Sequence, residues 1–332
     1  MFIAVSRRAL ALALPALLVT GHASAQDAAA NYPNRPVRVI VGMPPGGATD
    51  IMARVIGEKL GAQLGQSFVV DNRPGAGGII GTDAVAKAAP DGYTISLILS
   101  GAVIANQFVY SKLPYNPDKD FTYVSQVMEG VVVLTADAKA PYKDAKEFAA
   151  YAKANPGKVS YGSYSTGSYG HVVMAYMNKQ QGADMTHVAY KGEAPMIQGM
   201  LGGEAQLAFG SVMNMGPHVA SGKFKYLGVS GPKRMAALPN VPTLAEQGLT
   251  DAPYRMSGWA GFIAPAATPK PIIDKLAAAI HTAMADPAIQ KRIRDMGFEP
   301  TLDSSPAKNM ERYKHDVPIW KNLIELADAK IQ

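Results

Sequence analysis

The sequence predicts an α/β protein of two domains. Short apolar runs alternate with amphipathic helical patterns almost from end to end, the arrangement expected of largely parallel sheets with helical crossovers. Glycine-rich turns join strand ends to helix starts, and two proline-marked loops read as passages between domains.

Expected strands cover residues 37–41, 68–71, 94–99, 131–135, 159–162, 185–189, 205–209, 226–229 and 256–264, each an apolar run bounded by turn residues. Expected helices cover residues 49–64, 78–88, 143–154, 168–180, 194–201, 215–221, 271–285, 287–296 and 306–329. In the first of these, Ile51, Val55, Ile56, Leu60 and Leu64 share a face. The last carries Tyr313, Val317, Trp320, Ile324 and Ala327 on one side and should pack across the back. The passages are Leu113-Pro-Tyr-Asn-Pro-Asp-Lys-Asp120 and Ala252-Pro-Tyr254. They divide the chain into a discontinuous first domain, 26–126 with 255–332, around an inserted second, 127–254.

The N-terminus reads as an address. Arg7 and Arg8 precede an apolar run too short to span a bilayer, and Ala23-Ser-Ala25 offers a cleavage site. Residues 1–25 are therefore expected to be a signal peptide and the mature chain periplasmic. Their removal takes away two arginines and lowers the net charge from +6 to +4. The remaining charge is scattered and matched, with no nucleic-acid motif. With no cysteine, disulfides and a lipid-anchored cysteine are excluded.

The most informative stretch is Val39-Ile-Val-Gly-Met-Pro-Pro-Gly-Gly-Ala-Thr-Asp50. A strand, a glycine loop and a helix start point unpaired backbone N–H groups at one spot, where the helix dipole favours an anion without any lysine or arginine. Val159-Ser-Tyr-Gly-Ser-Tyr-Ser-Thr-Gly-Ser-Tyr-Gly-His171 offers a second cradle. There Ser163, Ser165, Thr166 and Ser168 bring donors, and Gly162, Gly167 and Gly170 permit close approach; an ordinary serine-capped turn fits equally well. Asp71-Asn-Arg-Pro-Gly-Ala-Gly-Gly-Ile-Ile-Gly81 fails the dinucleotide fingerprint, because Arg73-Pro74 separates its glycines from the strand. It reads better as a third helix start on the same cleft, with Gly101 as a fourth edge.

Catalytic groups are sparse. None of the six histidines is spaced as a metal pair, and no cofactor or metal is expected. Thr166-Gly-Ser-Tyr-Gly170 nearly matches a nucleophile elbow around Ser168, with His171 close by. A periplasmic serine hydrolase using Ser168 and His171 is therefore an alternative, although such a histidine normally comes from a distant loop. Lys191 is either a charge partner for a carboxylate or a solvated rim residue. Met213 and Met215 are either core filler or an adaptable ligand wall.

Together these motifs resemble the extracytoplasmic solute receptors of tripartite tricarboxylate transporters, the Bug receptors. The similarity runs over the mature chain. It is carried by Pro44-Pro-Gly-Gly-Ala-Thr-Asp50, Asp71-Asn-Arg-Pro-Gly-Ala-Gly-Gly78, Pro90-Asp-Gly-Tyr-Thr94, Leu113-Pro-Tyr-Asn-Pro-Asp-Lys-Asp-Phe121, Tyr190-Lys-Gly192, Leu201-Gly-Gly-Glu204, Leu238-Pro-Asn-Val-Pro-Thr243 and Gly261-Phe-Ile-Ala-Pro265. The resemblance implies a type II periplasmic-binding-protein fold, two α/β domains with a hinge and a ligand cleft between them. It implies a non-enzymatic, monomeric receptor that hands a small carboxylate to membrane permease subunits. Ligand contacts are then expected from Met43, Pro45, Gly46, Gly47, Ala48, Thr49 and Asp50, from Asn72, Gly77 and Gly78, and from Ser100 and Gly101. The other domain would add Ser163, Ser165, Thr166, Gly167, Ser168, Tyr169, Lys191, Gly192, Gly210 and Ser211.

Two positions depart from the family. Met43 stands where an aromatic is frequent, and Gly210-Ser211 follows Phe209 where many members have an aspartate. Loss of that carboxylate should open space, relieve repulsion for a second anionic group and disfavour an amino-acid ligand. With Tyr164, Tyr169, Met43, Met213 and Met215 nearby, the expectation leans towards an aromatic dicarboxylate such as terephthalate. A carboxylate-sensing subunit of a signalling system is the remaining alternative.

Overall fold

The computed structural model describes residues 30–330; the expected signal peptide lies outside the described residues. The chain runs β1 (Val37–Val41), α1 (Ala48–Leu64), β2 (Phe68–Asn72), α2 (Ile79–Ala86), β3 (Thr94–Leu99), two single-turn helices α3 (Ser100–Val103) and α4 (Asn106–Val109), then β4 (Phe121–Gly130). It continues through β5 (Val133–Asp137), α5 (Ala145–Ala154), β6 (Ser160–Ser163), α6 (Tyr169–Gln181), β7 (Thr186–Ala189), α7 (Glu193–Leu201), β8 (Leu207–Gly210), α8 (Val212–Ala220) and β9 (Phe224–Val229). Last come α9 (Ala252–Arg255), β10 (Gly258–Pro265), α10 (Lys270–Met284), α11 (Pro287–Asp295), β11 (Glu299–Pro300) and α12 (Pro306–Leu326).

Two sheets result, one of six strands in the order β11-β4-β10-β3-β1-β2 and one of five in the order β7-β6-β8-β5-β9. We refer to each sheet with its helices as a lobe. The sheets are mixed, which corrects the expectation of largely parallel ones. In the first, β2, β1 and β3 are parallel, whereas β10 runs antiparallel to both β3 and β4. In the second, β7, β6 and β8 are parallel and β5 opposes β8 and β9. Parallel pairs come from strand–helix–strand crossovers, while the strands next to each passage enter from the opposite end.

A strand not expected from the sequence, β4, explains a second correction. The loop at 113–120 leads into β4, still within the first sheet, and the chain passes to the second sheet only between Gly130 and Val133. Buried Ser125 and Gln126 interrupt the apolar pattern of β4, so periodicity does not flag it. The return passage lies within residues 230–257. The two passages touch: Ser230 N–H donates to Val132 O at 2.9 Å and Val132 N–H to Ser230 Oγ at 3.0 Å.

The buried face of α1 is Thr49, Asp50, Met52, Ala53, Ile56, Gly57 and Leu60, rotated by about one residue from the apolar stripe. Gly57 permits this, because a Cβ there would stand 3.3 Å from Phe68. At the back, α12 packs on both β4 and α6, and one apolar cluster joins Trp320, Leu323 and Ile324 to Val172, Val173 and Ile104. Tyr313 stacks on Tyr123 with centroids 4.8 Å apart. Arg312 ties α12 to the end of β4 and to the return passage, reaching Glu129 at 3.2 Å and Ser257 O at 3.2 Å. Because Leu323 is fully buried in the cluster that spans both lobes, Leu323→Ala should cost about 2–5 kcal/mol in urea unfolding. A loss below 1 kcal/mol would show that α12 is a peripheral strap.

Candidate functional site

Two helix starts lie side by side in the first lobe. The loop after β1 turns at Gly46 (φ +83°) and enters α1 through Gly47, which caps with no side chain. Inside the first turn Asp50 is buried. Its carboxylate accepts from Gly46 N–H at 2.9 Å, Arg54 at 2.9 and 3.2 Å and Asn72 Nδ2 at 3.0 Å. Burial alone would raise its pKa. The Arg54 bond, the Gly46 N–H and the Asn72 amide outweigh that and hold it below the ordinary carboxylate value. Asn72 Nδ2 also donates to Met43 O at 3.1 Å. Asp50 and Asn72 thus use their side chains to brace the loop, and what faces outward is backbone.

The turn after β2 runs through a cluster of left-handed residues, with Ala76, Gly77 and Gly78 at φ +47°, +62° and +91°. It packs back to back with the first loop. A Cβ on Gly42 would lie 3.0 Å from Gly78 O, and one on Gly81 would lie 2.7 Å from Gly42 Cα. Asn106 Nδ2 holds Gly77 O at 3.1 Å. Between Gly42, Met43, Gly77, Gly78, Thr82 and Ala102 lies a small cavity of about 20 Å³, on the scale of one water molecule. Ser100 is buried beside it, but its Oγ accepts Trp259 N–H at 3.2 Å.

In the second lobe, the Ser163–Ser168 loop faces the first. Gly167 (φ +75°) makes the contact: a Cβ on it would stand 2.4 Å from Val109 Cγ2 of α4. Ser165 is exposed and Thr166 half-buried. Ser168 occupies the cap position of α6 without capping it, and its buried Oγ has no partner among the described residues. Two histidines hold the loop from behind. His171 Nδ1 accepts Gly167 N–H at 3.1 Å, and His187 Nε2 bonds Ser163 Oγ at 2.7 Å. Their rings stack at 3.8 Å and line a cavity of about 700 Å³, shared with Asn178, Lys179 and Asp328, which lies away from the glycine turns. Burial, then the neighbouring His187, pushes the His171 pKa down to about 4; burial lowers that of His187.

Several expected contacts are committed elsewhere. Gly192 N–H donates to Tyr164 O at 2.9 Å. Tyr169 is buried and its hydroxyl donates to Pro253 O at 3.0 Å. Lys191 is exposed. Met215 is fully buried whereas Met213 is exposed, so Tyr169 and Met215 drop out of the apolar wall that favoured an aromatic acid. The expected space at Gly210 is also absent. A Cβ there would meet Met215 Cε at 2.5 Å and Glu193 Oε1 at 2.7 Å. Glu193, which the sequence did not single out, thereby puts a carboxylate in the space beside Gly210. Its signal was only an acid in a helix's first turn, which ordinarily reads as dipole compensation.

No group of three side chains suited to a metal exists among the described residues. Ser168 and His171 are not hydrogen-bonded to each other: Ser168 Oγ has no partner among the described residues, His171 Nδ1 accepts Gly167 N–H, and the serine that meets a histidine is the fully buried Ser163.

Comparison with known proteins identifies the lineage. Residues 52–328 match the model of the tripartite tricarboxylate transporter family receptor. The chain belongs to this family. It is 33% identical to protein BugT of Bordetella pertussis over 95% of this chain and 96% of that one. Among solved structures, an R. palustris protein with adipate aligns at a TM-score of 0.79 and 30% identity, covering 91% of this chain and all of that one. MatC from Rhodopseudomonas palustris with bound malate aligns at 0.74 and 31%, covering 88% and 100%. The fold of this receptor is that of the periplasmic binding proteins.

The histidine pair makes the loop acid-sensitive. His171 titrates at about 4 in the folded chain against an ordinary 6.5. The unfolded chain therefore binds the extra proton first, and stability is lost as the pH falls from 6.5 through 4. The melting temperature should drop across that window, and His171→Gln should flatten the drop; an identical slope in the variant would remove His171 as the cause.

Proposed function

We propose that this receptor binds a small organic carboxylate reversibly between its lobes, in the periplasm, as a monomer, and delivers it to the permease subunits of a tripartite tricarboxylate transporter. The observation that carries this reading is the Gly167–Val109 contact. It puts the Ser163–Ser168 loop of one lobe against α4 of the other, whose Asn106 in turn holds Gly77 O of the glycine turn. Backbone N–H groups in the first turns of α1, α2 and α6 have no partners within their own helices. They suit an anion from both sides, and the solved relatives with adipate and malate support an acid as that anion. Residues 1–25, as a cleaved signal, would supply the export route.

Each helix start contributes about 0.3–1 kcal/mol towards holding a negative group, more when partly buried. Charge-assisted hydrogen bonds add roughly 1.5–3 kcal/mol each. A few of these reach the approximately −8 kcal/mol of a micromolar site, and the costs of ordering and closure keep it from going far beyond. We take the lobes to be two bodies that close about the passages at 130–133 and 230–257, with the closed form presented to the permease.

Trp259 sits at the return passage, buried and edge-on to Tyr123, so its fluorescence should change saturably as aliphatic mono-, di- and tricarboxylates are titrated. Gly167→Val, strained at its left-handed φ and driven into Val109, should weaken the binding by about tenfold or more. Undiminished binding in that variant would overturn the closed-cleft reading.

A further inference from the structure

Glu193 opens α7, and its half-buried carboxylate is spent on the start of the next helix. It accepts from the backbone N–H of Ser211, from Ser211 Oγ at 3.0 Å and from Asn214 Nδ2 at 2.6 Å. Ser211 is the N-cap of α8, and its Oγ also accepts Asn214 N–H at 3.2 Å. A helix start with a cap hydroxyl and an amide is where a carboxylate is readily held. Here the chain supplies that carboxylate itself.

Two further observations place the group near the junction of the lobes. Gly297 of the first lobe abuts α8 at this end, since a Cβ on it would stand 3.2 Å from Val212 Cβ and 3.8 Å from Met213 N. Tyr164, in the cradle loop, has its phenol pushed up to about 12 by burial and then by the charge of Glu193. The carboxylate also fills the space that a side chain at Gly210 would claim. It lies beside the cradle loop, whose Tyr164 O accepts the N–H of the adjoining Gly192 at 2.9 Å.

The geometry points to Glu193 as the specificity-determining residue of the cleft, selecting acids with one carboxylate and a hydrogen-bond-donating far end, a hydroxyl or an ammonium, over α,ω-diacids. This rests on the carboxylate-receptor reading and narrows it. A second carboxylate reaching the second lobe meets a like charge and finds the Ser211 and Asn214 donors in use. A hydroxyl or ammonium meets an acceptor instead, because an ionised carboxylate has about four lone-pair sites and three are taken. Discrimination then comes from repulsion of the wrong ligand as much as from attraction of the right one.

The test is calorimetric titration of the full chain and of Glu193→Gln with matched acids of equal length: succinate, 4-hydroxybutanoate and 4-aminobutanoate, then adipate and 6-hydroxyhexanoate. The native receptor should favour the hydroxy or amino acid over the diacid by about tenfold or more, and Glu193→Gln should shift that ratio towards the diacid by about tenfold. Glu193→Asp keeps the charge, should keep the preference, and serves if the amide variant does not fold. Diacids binding the native receptor as tightly as their partners, or a ratio unmoved by Glu193→Gln, overturns the assignment while leaving the receptor reading intact. Silence from every acid against every form overturns both.

Discussion

A single buried carboxylate organises the first lobe. Asp50 lies in the first turn of α1 and gathers Gly46 N–H, the Arg54 guanidinium and the Asn72 amide. Its charge is answered locally by Arg54 and by the helix start, so burial carries no unpaired ion. Through Asn72 the brace also reaches Met43 O and fixes the end of β2 against the loop after β1. Only with both turns held can Gly42, Gly78 and Gly81 pack backbone against backbone. The helix starts of α1 and α2 are then side by side.

The second lobe solves the same problem with neutral groups. His171 and His187 stack and hold Gly167 and Ser163 from behind, and burial keeps their charged forms unfavourable. A neutral imidazole accepts the backbone N–H without placing a fixed charge behind the loop. The chain crosses between the lobes at two adjacent passages, and Arg312 of α12 bonds Glu129 near the end of β4 and Ser257 in the return passage.

Much of this was legible in the residue order because it is local. Left-handed φ at Gly46, Gly77, Gly78, Gly167 and Gly192 is a condition glycine meets cheaply, so turns and helix starts stand out in the chain. β4 did not, because Ser125 and Gln126 are buried within it and only neighbouring strands make that burial tolerable. Glu193, His187 and Val109 were also silent. Their roles depend on Ser211, Ser163 and Gly167, which lie 18, 24 and 58 positions away.

The sequence by itself determined an α/β chain with glycine-built cradles at the starts of α1, α2 and α6, together with its family resemblance. These follow from backbone sterics and side-chain periodicity within a few residues. Only the tertiary structure decided which donors remain free. It spent Gly192 N–H on Tyr164 O and the Tyr169 hydroxyl on Pro253 O, and it returned through Glu193 the carboxylate that Gly210 had seemed to remove. Conformation is set by neighbours in the chain. Saturation of polar groups is set by neighbours in space, and those exist only once the chain has folded.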